Sequence, residues 1–143
     1  MTVTFLGHRY VSESPLVQDW LENTVVSLIN RGASEFLLGG YGSFDGLSAK
    51  VVKKLQATYP DIKSYLVIPY LDQDFNENLY DNSIYPPLET VPKRFAISKR
   101  NEWMVDEADV VVAYIKNYAG GSGRTMEYAE RKKKEILRYE SSA

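Results

Sequence analysis

Residues 120–127, which read Gly-Gly-Ser-Gly-Arg-Thr-Met-Glu, combine a glycine-rich turn with an arginine and a carboxylate. They follow an apolar run at 110–114 and open a polar segment, so we expect a strand, a tight turn and a helix. Free N–H groups at a helix start bind anions, and glycine lets the backbone approach a ligand closely. The sequence therefore predicts a phosphate-binding turn, with Glu127 one turn inside the helix.

Glycines also follow the first two predicted strands. Gly7-His8-Arg9 closes the first strand, and the loop 39–46 follows the second. Because parallel strands present their carboxyl ends at one edge of the sheet, we expect these turns to surround one pocket. The 39–46 loop is not a G-x-G-x-x-G fingerprint, because its last glycine comes one residue late, and no Walker A motif occurs. The alternative, that the glycines only make tight turns, stays open.

Metal and thiol chemistry find little support. The chain has one histidine and no cysteine, which excludes a multi-histidine metal site, a disulfide and a thiolate zinc site. The run Asp72-x-Asp74-x-Asn76 lacks the glycine and glutamate that a calcium loop needs, and we interpret it as a turn. We predict no metal and no cofactor. His8 either contacts a ligand or satisfies backbone groups.

The hydrophobic pattern predicts alternating strands and helices. Strands are expected at 2–6, 35–38, 64–68 and 109–115, with a fifth strand or a helix end at 135–139. Helices are expected at 14–31, from the end of the 39–46 loop to Pro60, at 94–106 and at 124–133, whereas 71–92 reads as a lid, binding loop or oligomer contact. This order predicts a single α/β domain over 1–143. It would be Rossmann-like and doubly wound, with a mostly parallel sheet of about five strands and helices on both faces.

Composition limits the partners. The 143 residues carry a net charge of −2 and are 44% hydrophobic, which suits an ordinary core and argues against nucleic acid or an anionic membrane as partner. No apolar run approaches the roughly 20 residues that span a bilayer. The N-terminus also lacks the pattern of a signal peptide. We therefore expect a cytoplasmic protein without a membrane partner.

Three segments together resemble the SLOG superfamily: Ser98-Lys99-Arg100-Asn101 and the helix they open, Ala108-Asp109 before a strand, and the 120–127 turn. That superfamily includes the Lonely Guy (LOG) phosphoribohydrolases, which release a base from a nucleoside 5′-monophosphate. It also includes DprA/Smf-type proteins and nucleotide-sensing domains of antiviral systems. The whole chain is similar to small stand-alone SLOG proteins of Firmicutes and their phages.

The resemblance implies a nucleotide-like ligand more strongly than it implies catalysis. Arg100 matches the arginine of the LOG pattern and Glu127 matches its glutamate. Asn101 replaces the lysine that follows the arginine, Ala119 replaces a proline, and Arg124 replaces a threonine. The expected protein binds a nucleotide or an ADP-ribose-like molecule, linear or cyclic. It would sense or sequester that signal, for instance in conflict between phage and host.

The alternative is a LOG-like N-glycosidase in which Arg100 and Glu127 are catalytic; whether the protein is an enzyme stays open, and we favour the binder. By resemblance to its relatives, the chain is expected to form a homodimer or a higher homo-oligomer. Glycine N–H groups and arginines would hold phosphates, carboxylates would accept from ribose hydroxyls, and an aromatic ring (Tyr41, Phe44 or Tyr118) would stack on the base. The candidate ligand-binding residues are Gly7, His8, Arg9, Gly39, Gly40, Tyr41, Gly42, Ser43, Asp45, Arg94, Ser98, Arg100, Gly120, Gly121, Ser122, Gly123, Arg124, Thr125 and Glu127.

Overall fold

A computed structural model describes residues 1–11 and 14–140. Within them, six strands form one all-parallel sheet. The strands are β1 Thr2–Gly7, β2 Glu35–Leu38, β3 Lys63–Val67, β4 Asn82–Ile84, β5 Val110–Tyr114 and β6 Glu135–Arg138. Their order across the sheet is β4-β3-β2-β1-β5-β6. The chain runs outward from β1 to one edge and then returns to the other side of β1, so β1 and β5 flank the topological switch point.

Four helices cover the sheet. They are α1 Pro15–Asn30, α2 Ser43–Leu55, α3 Ala96–Glu107 (preceded by a 3-10 turn, Lys93–Phe95) and α4 Gly120–Arg131. Helices α1 and α2 contact each other on one side, and α3 and α4 contact each other on the opposite side. The prediction of a Rossmann-like, doubly wound α/β fold is confirmed.

The alternation of side chains along β1 explains the two layers. Val3 and Phe5 belong to the main core under α1 and α2, whereas Leu6 belongs to the smaller core under α3 and α4. All three side chains are at least 92% buried. Successive side chains of a strand point to opposite faces, so a strand that is covered on both faces is apolar along its whole length. This apolar run predicted β1 correctly.

Helix α1 begins where local chemistry predicts. The Ser14 hydroxyl accepts a hydrogen bond from the Val17 N–H at 3.4 Å, and Pro15 occupies the first helical position. Both residues are favoured there, because serine caps a free N–H and proline has none to lose.

Three predictions on the elements were wrong in detail. Helix α2 begins at Ser43, inside the predicted loop, and α4 begins at Gly120 rather than at Arg124. The segment 71–92 contains the short strand β4, which pairs with β3 and raises the strand count to six. For 135–139, where a strand and a helix end were both left open, the structure has the strand, at the edge of the sheet. Among the described residues no helix is long and apolar enough to cross a membrane.

Candidate functional site

The switch point opens into a cavity of about 490 Å³. Its walls come from the carboxyl half of β1 and the loop after it, the starts of α2 and α4, and one face of α3. The lining residues are Thr4, Phe5, Leu6, Gly7, His8, Arg9, Tyr10, Tyr41, Asp45, Ile97, Arg100, Asn101, Met104, Val105, Ala119, Gly120, Gly121, Ser122 and Thr125. Ligands of open α/β sheets bind in this position, beyond the carboxyl ends of the strands.

The start of α4 supplies unpaired donors. The N–H groups of Gly120, Gly121 and Ser122 donate to no described residue, and no side chain caps this helix. Gly120 has a φ of +77°, a conformation that other residues adopt at a cost. All three residues line the cavity. The helix therefore presents its positive end and three donors to whatever occupies the cavity.

Arg100 brings a buried positive charge to the same cavity. The residue is only 3% exposed. Its Nη1 donates to the carbonyl oxygens of Gly39 and Val67, each at 2.9 Å, and its Nε donates to Asn101 at 2.8 Å. Nη2 has no hydrogen-bond partner among the described residues. The guanidinium is thus fixed by the strand ends of β2 and β3, with one donor edge left for a ligand.

Asp45 is the one carboxylate among the described residues that line the cavity. Its Oδ2 accepts from the Tyr41 N–H at 3.3 Å. A Cβ added to Gly39 would lie 3.1 Å from this oxygen and 3.3 Å from Arg100 Cζ, so the two charged groups flank the Gly39 backbone. Burial raises the pKa of Asp45 to about 6, although the Tyr41 N–H and the Arg100 charge favour the ionised form. Asp45 therefore titrates close to neutrality.

His8 joins the end of β1 to the start of α4. Its Nε2 accepts from the Lys116 N–H at 2.8 Å, so the proton of the neutral ring lies on Nδ1, which is 3.1 Å from Ser122 Oγ. Burial, followed by the charges of Lys116 and Arg138, lowers the pKa of His8. The ring therefore donates to Ser122 and cannot remove its proton, which is the reverse of a serine nucleophile activated by a base. The Ser122 O–H stays free to donate into the cavity.

The first glycine loop, which was predicted to bind phosphate, contacts the loop after β1. The Ser43 N–H donates to the Arg9 carbonyl at 2.8 Å, and Ser43 Oγ accepts from the Val11 N–H at 2.6 Å. Gly42 has a φ of +94°, and a Cβ there would lie 2.8 Å from Arg9 Cα. These contacts join the loop after β1 to the start of α2. Gly39, Gly40, Gly42 and Ser43 do not line the cavity.

Besides Ser43, four predicted residues with charged or hydroxyl side chains lie outside the cavity: Arg94, Ser98, Arg124 and Glu127. All four are exposed. On α4 the buried face carries Gly123, Thr125, Met126 and Ala129, and at 100° per residue this phase turns positions 124 and 127 toward solvent. The prediction took Glu127 from its match to the family pattern and did not consider which face of the helix it lies on.

Of the three aromatic residues that were predicted to stack on a base, one lines the cavity. Phe44 is fully buried and packs on Gly7 and Tyr114, so it cannot stack on a ligand, and Tyr118 does not line the cavity. Tyr41 does line it and is 57% exposed.

Sequence reasoning missed several lining residues. Tyr10 is 82% exposed at the cavity mouth, and Ile97, Met104 and Val105 form an apolar wall on α3. A signal for Tyr10 existed, because it directly follows the Gly7-His8-Arg9 turn. The spacing of the wall residues, at i, i+7 and i+8, marks an apolar face of α3, but nothing local shows that part of this face lines a cavity.

Comparisons with known proteins agree with this architecture. The model of the YspA SLOG family matches residues 11–142. UPF0398 protein BH1768 of Halalkalibacterium halodurans is 25% identical over 142 residues, covering 90% of this chain and 74% of the relative.

Two solved structures are similar in fold. One is DNA processing protein A from Helicobacter pylori, described for its single-stranded DNA binding mode; the TM-score is 0.69 at 18% identity, over 99% of this chain and 66% of the other. The second is the molybdenum cofactor carrier protein from Chlamydomonas reinhardtii, with a TM-score of 0.59 at 14% identity, over 96% of this chain and 74% of the other.

Proposed function

This chain belongs to the YspA SLOG family, and from that premise we propose that its switch-point cavity binds a phosphate-bearing nucleotide or ADP-ribose-like molecule, which the protein senses or sequesters. One observation carries the proposal. Gly120, Gly121 and Ser122, whose N–H groups are unpaired at the start of α4, line the same cavity as the buried Arg100, whose Nη2 has no partner among the described residues. Helix starts and arginine forks both favour phosphate oxygens.

The remaining walls suit the rest of such a ligand. A volume of about 490 Å³ lies in the range typical of small-molecule sites. Asp45 offers carboxylate oxygens to ribose hydroxyls, and the apolar wall of Ile97, Met104 and Val105 can cover a ring or sugar face. Arg9 adds a second positive charge at the mouth.

The fold neighbours bear on the choice of ligand. The Helicobacter protein is described as binding single-stranded DNA, and the Chlamydomonas protein is described as a cofactor carrier. The argument that negative net charge disfavours a nucleic-acid partner finds no support in this comparison. Both a free nucleotide and a strand end carry the phosphate that the start of α4 would recognise.

A matched pair of variants tests the anion site. A Cβ at Gly121 meets nothing within 4 Å, so both Gly121→Ala and Gly121→Asp add their Cβ without a clash. Asp in the first turn of a helix is favourable for the helix but places a carboxylate where a phosphate would bind. Calorimetric titration with AMP and ADP-ribose should show at least a tenfold weaker binding for Gly121→Asp and near wild-type binding for Gly121→Ala. Equal affinity in both variants, or no binding by the wild-type protein at millimolar ligand, would contradict the proposal.

A second candidate function is hydrolysis of the N-glycosidic bond, and the observation that favours it is Asp45. Glycoside hydrolysis uses carboxyl groups, and a pKa of about 6 suits proton transfer near neutral pH. Glu127, the residue matched by the family pattern, is exposed outside the cavity. Release of ribose 5-phosphate from AMP that is lost in Asp45→Asn and kept in Glu127→Gln would support an enzyme; no release by the wild-type protein would leave the binder.

A further inference from the structure

Two exposed tyrosines lie close to one arginine at the mouth of the cavity. The guanidinium carbon of Arg9 lies 5.6 Å from the ring centroid of Tyr10 and 5.0 Å from that of Tyr41. Tyr10 is 82% exposed and Tyr41 is 57% exposed, and all three residues line the cavity. Single exposed aromatic residues are common on protein surfaces, but two that share one planar cation at a cavity mouth form a defined arrangement.

The backbone holds this arrangement in place. The Ser43 N–H donates to the Arg9 carbonyl, and Ser43 Oγ accepts from the Val11 N–H, so Ser43 fixes the chain on both sides of Tyr10. Gly42 joins Tyr41 to Ser43, and its missing Cβ lets the Arg9 backbone approach. The two tyrosines are therefore brought together by the loop that sequence analysis had assigned to phosphate.

The guanidinium of Arg9 indicates that a flat group fits beside the two tyrosine rings. A guanidinium is planar and stacks on aromatic faces, as a nucleobase does. The tyrosine pair and the α4 start line the same cavity, so one molecule can contact both. A ligand with a phosphate alone would leave the tyrosines exposed, whereas a ligand with a ring would cover them.

We propose that Tyr10 and Tyr41 form a stacking site for a nucleobase, so that the ligand of the proposed function is a complete nucleotide rather than a sugar phosphate. This inference rests on the proposed anion site at the start of α4. Every base has a stacking face, so the pair selects for the presence of a base more than for its identity. The base can come from a free nucleotide or from the 5′ end of a single strand, which present the same ring and the same phosphate.

The test compares AMP with ribose 5-phosphate by calorimetric titration. Stacking predicts that AMP binds at least about tenfold more tightly than ribose 5-phosphate. Tyr10→Ala and Tyr41→Ala should each remove most of that difference without changing the affinity for ribose 5-phosphate, and Tyr10→Phe and Tyr41→Phe should keep it. Tyr118→Ala is the matched control, because Tyr118 is 41% exposed but does not line the cavity. Its affinity for AMP should equal that of the wild-type protein.

The outcomes separate this inference from the function beneath it. Equal affinity for AMP and ribose 5-phosphate, or an equal loss of both in the alanine variants, overturns the stacking site and leaves the anion site standing. No binding of either probe overturns both. A 5′-phosphorylated ten-residue deoxyadenosine strand that binds more tightly than AMP, with the same dependence on Tyr10 and Tyr41, supports stacking and assigns the base to a strand.

Discussion

His8 accepts a hydrogen bond from the Lys116 N–H through Nε2 at 2.8 Å, which leaves the proton of the neutral ring on Nδ1. The ring is partly buried, and it lies close to the positive charges of Lys116 and Arg138. These effects lower the pKa of His8 in the folded protein below its ordinary value of 6.5. The same ring positions Ser122, so its protonation state reaches the proposed anion site.

The first prediction concerns stability at mildly acidic pH. Because the unfolded chain binds a proton at His8 more readily than the folded protein, the contribution of this residue is full above pH 7 and declines as pH falls through about 6.5. The decline ends below the folded pKa, where both states are protonated. Thermal melts between pH 5 and 8 should show this loss in the wild-type protein. In His8→Gln the difference between pH 7.5 and pH 5.5 should be smaller; an unchanged difference would show that His8 does not titrate in this way.

The second prediction concerns Asp45, whose shift has the opposite direction. Its pKa in the folded protein is about 6, above the ordinary value of 3.8, so folding favours the protonated form. Stability from this group is present below pH 3.8 and is lost as pH rises through about 6. The residue as a whole is half-buried, so we expect a cost on the order of 2 kcal/mol at pH 7. Asp45→Asn should unfold at a higher denaturant concentration than wild type at pH 7.5, with the difference shrinking near pH 4.5.

If Asp45→Asn were more stable than the wild-type protein by the same amount at every pH, the gain would come from packing rather than from ionisation. A variant less stable than wild type at pH 7.5 would mean that the bond to the Tyr41 N–H outweighs desolvation.

Elements that depend on local sequence were predicted correctly, whereas elements that depend on tertiary contacts were not. The start of α1 depends on Ser14 and Pro15 alone, and sequence predicted it. Strand β4 has only three residues and is defined by its pairing with β3, so no local sequence pattern predicted it. Glycines at the start of α4 were interpreted as a turn, although the first turn of a helix tolerates them. Glu127 was expected at the ligand because it matches the family pattern, and the structure places it on the exposed face of α4.

The predicted site residues also include some that line the cavity and some that do not. Arg100 was identified because a family pattern contains it, and it does line the cavity. Gly42 and Ser43 were selected for a chemistry that glycine loops often perform. Whether a loop N–H faces a ligand or another strand depends on where the Arg9 backbone passes, which is a tertiary property.

The third prediction tests the joint between the two loops. Ser43→Ala removes the acceptor of the Val11 N–H, a 2.6 Å bond, and should lower the free energy of unfolding by about 1 kcal/mol. Because Ser43 also fixes the backbone next to Tyr10, the same variant should lower the affinity for AMP severalfold. Ser98→Ala is the control, because Ser98 is exposed on α3 outside the cavity and should change neither quantity. If Ser43→Ala and Ser98→Ala changed stability and AMP affinity equally, Ser43 would not be what holds the two loops together.

The fourth prediction concerns the shape of the Arg100 side chain rather than its charge. Arg100→Lys keeps the positive charge but cannot donate to the Gly39 and Val67 carbonyls at once, nor to Asn101, in the geometry of a guanidinium. Buried carbonyls that lose a charged donor are costly, so unfolding should require on the order of 3 kcal/mol less free energy. Chemical denaturation measures this change, and titration with AMP should show at least a tenfold loss. Arg94→Lys is the matched control, since Arg94 is exposed and does not line the cavity, and it should alter stability by less than about 0.5 kcal/mol. An Arg100→Lys protein with wild-type stability and affinity would mean that charge alone suffices, and that the fixed guanidinium is not what presents Nη2 to a ligand.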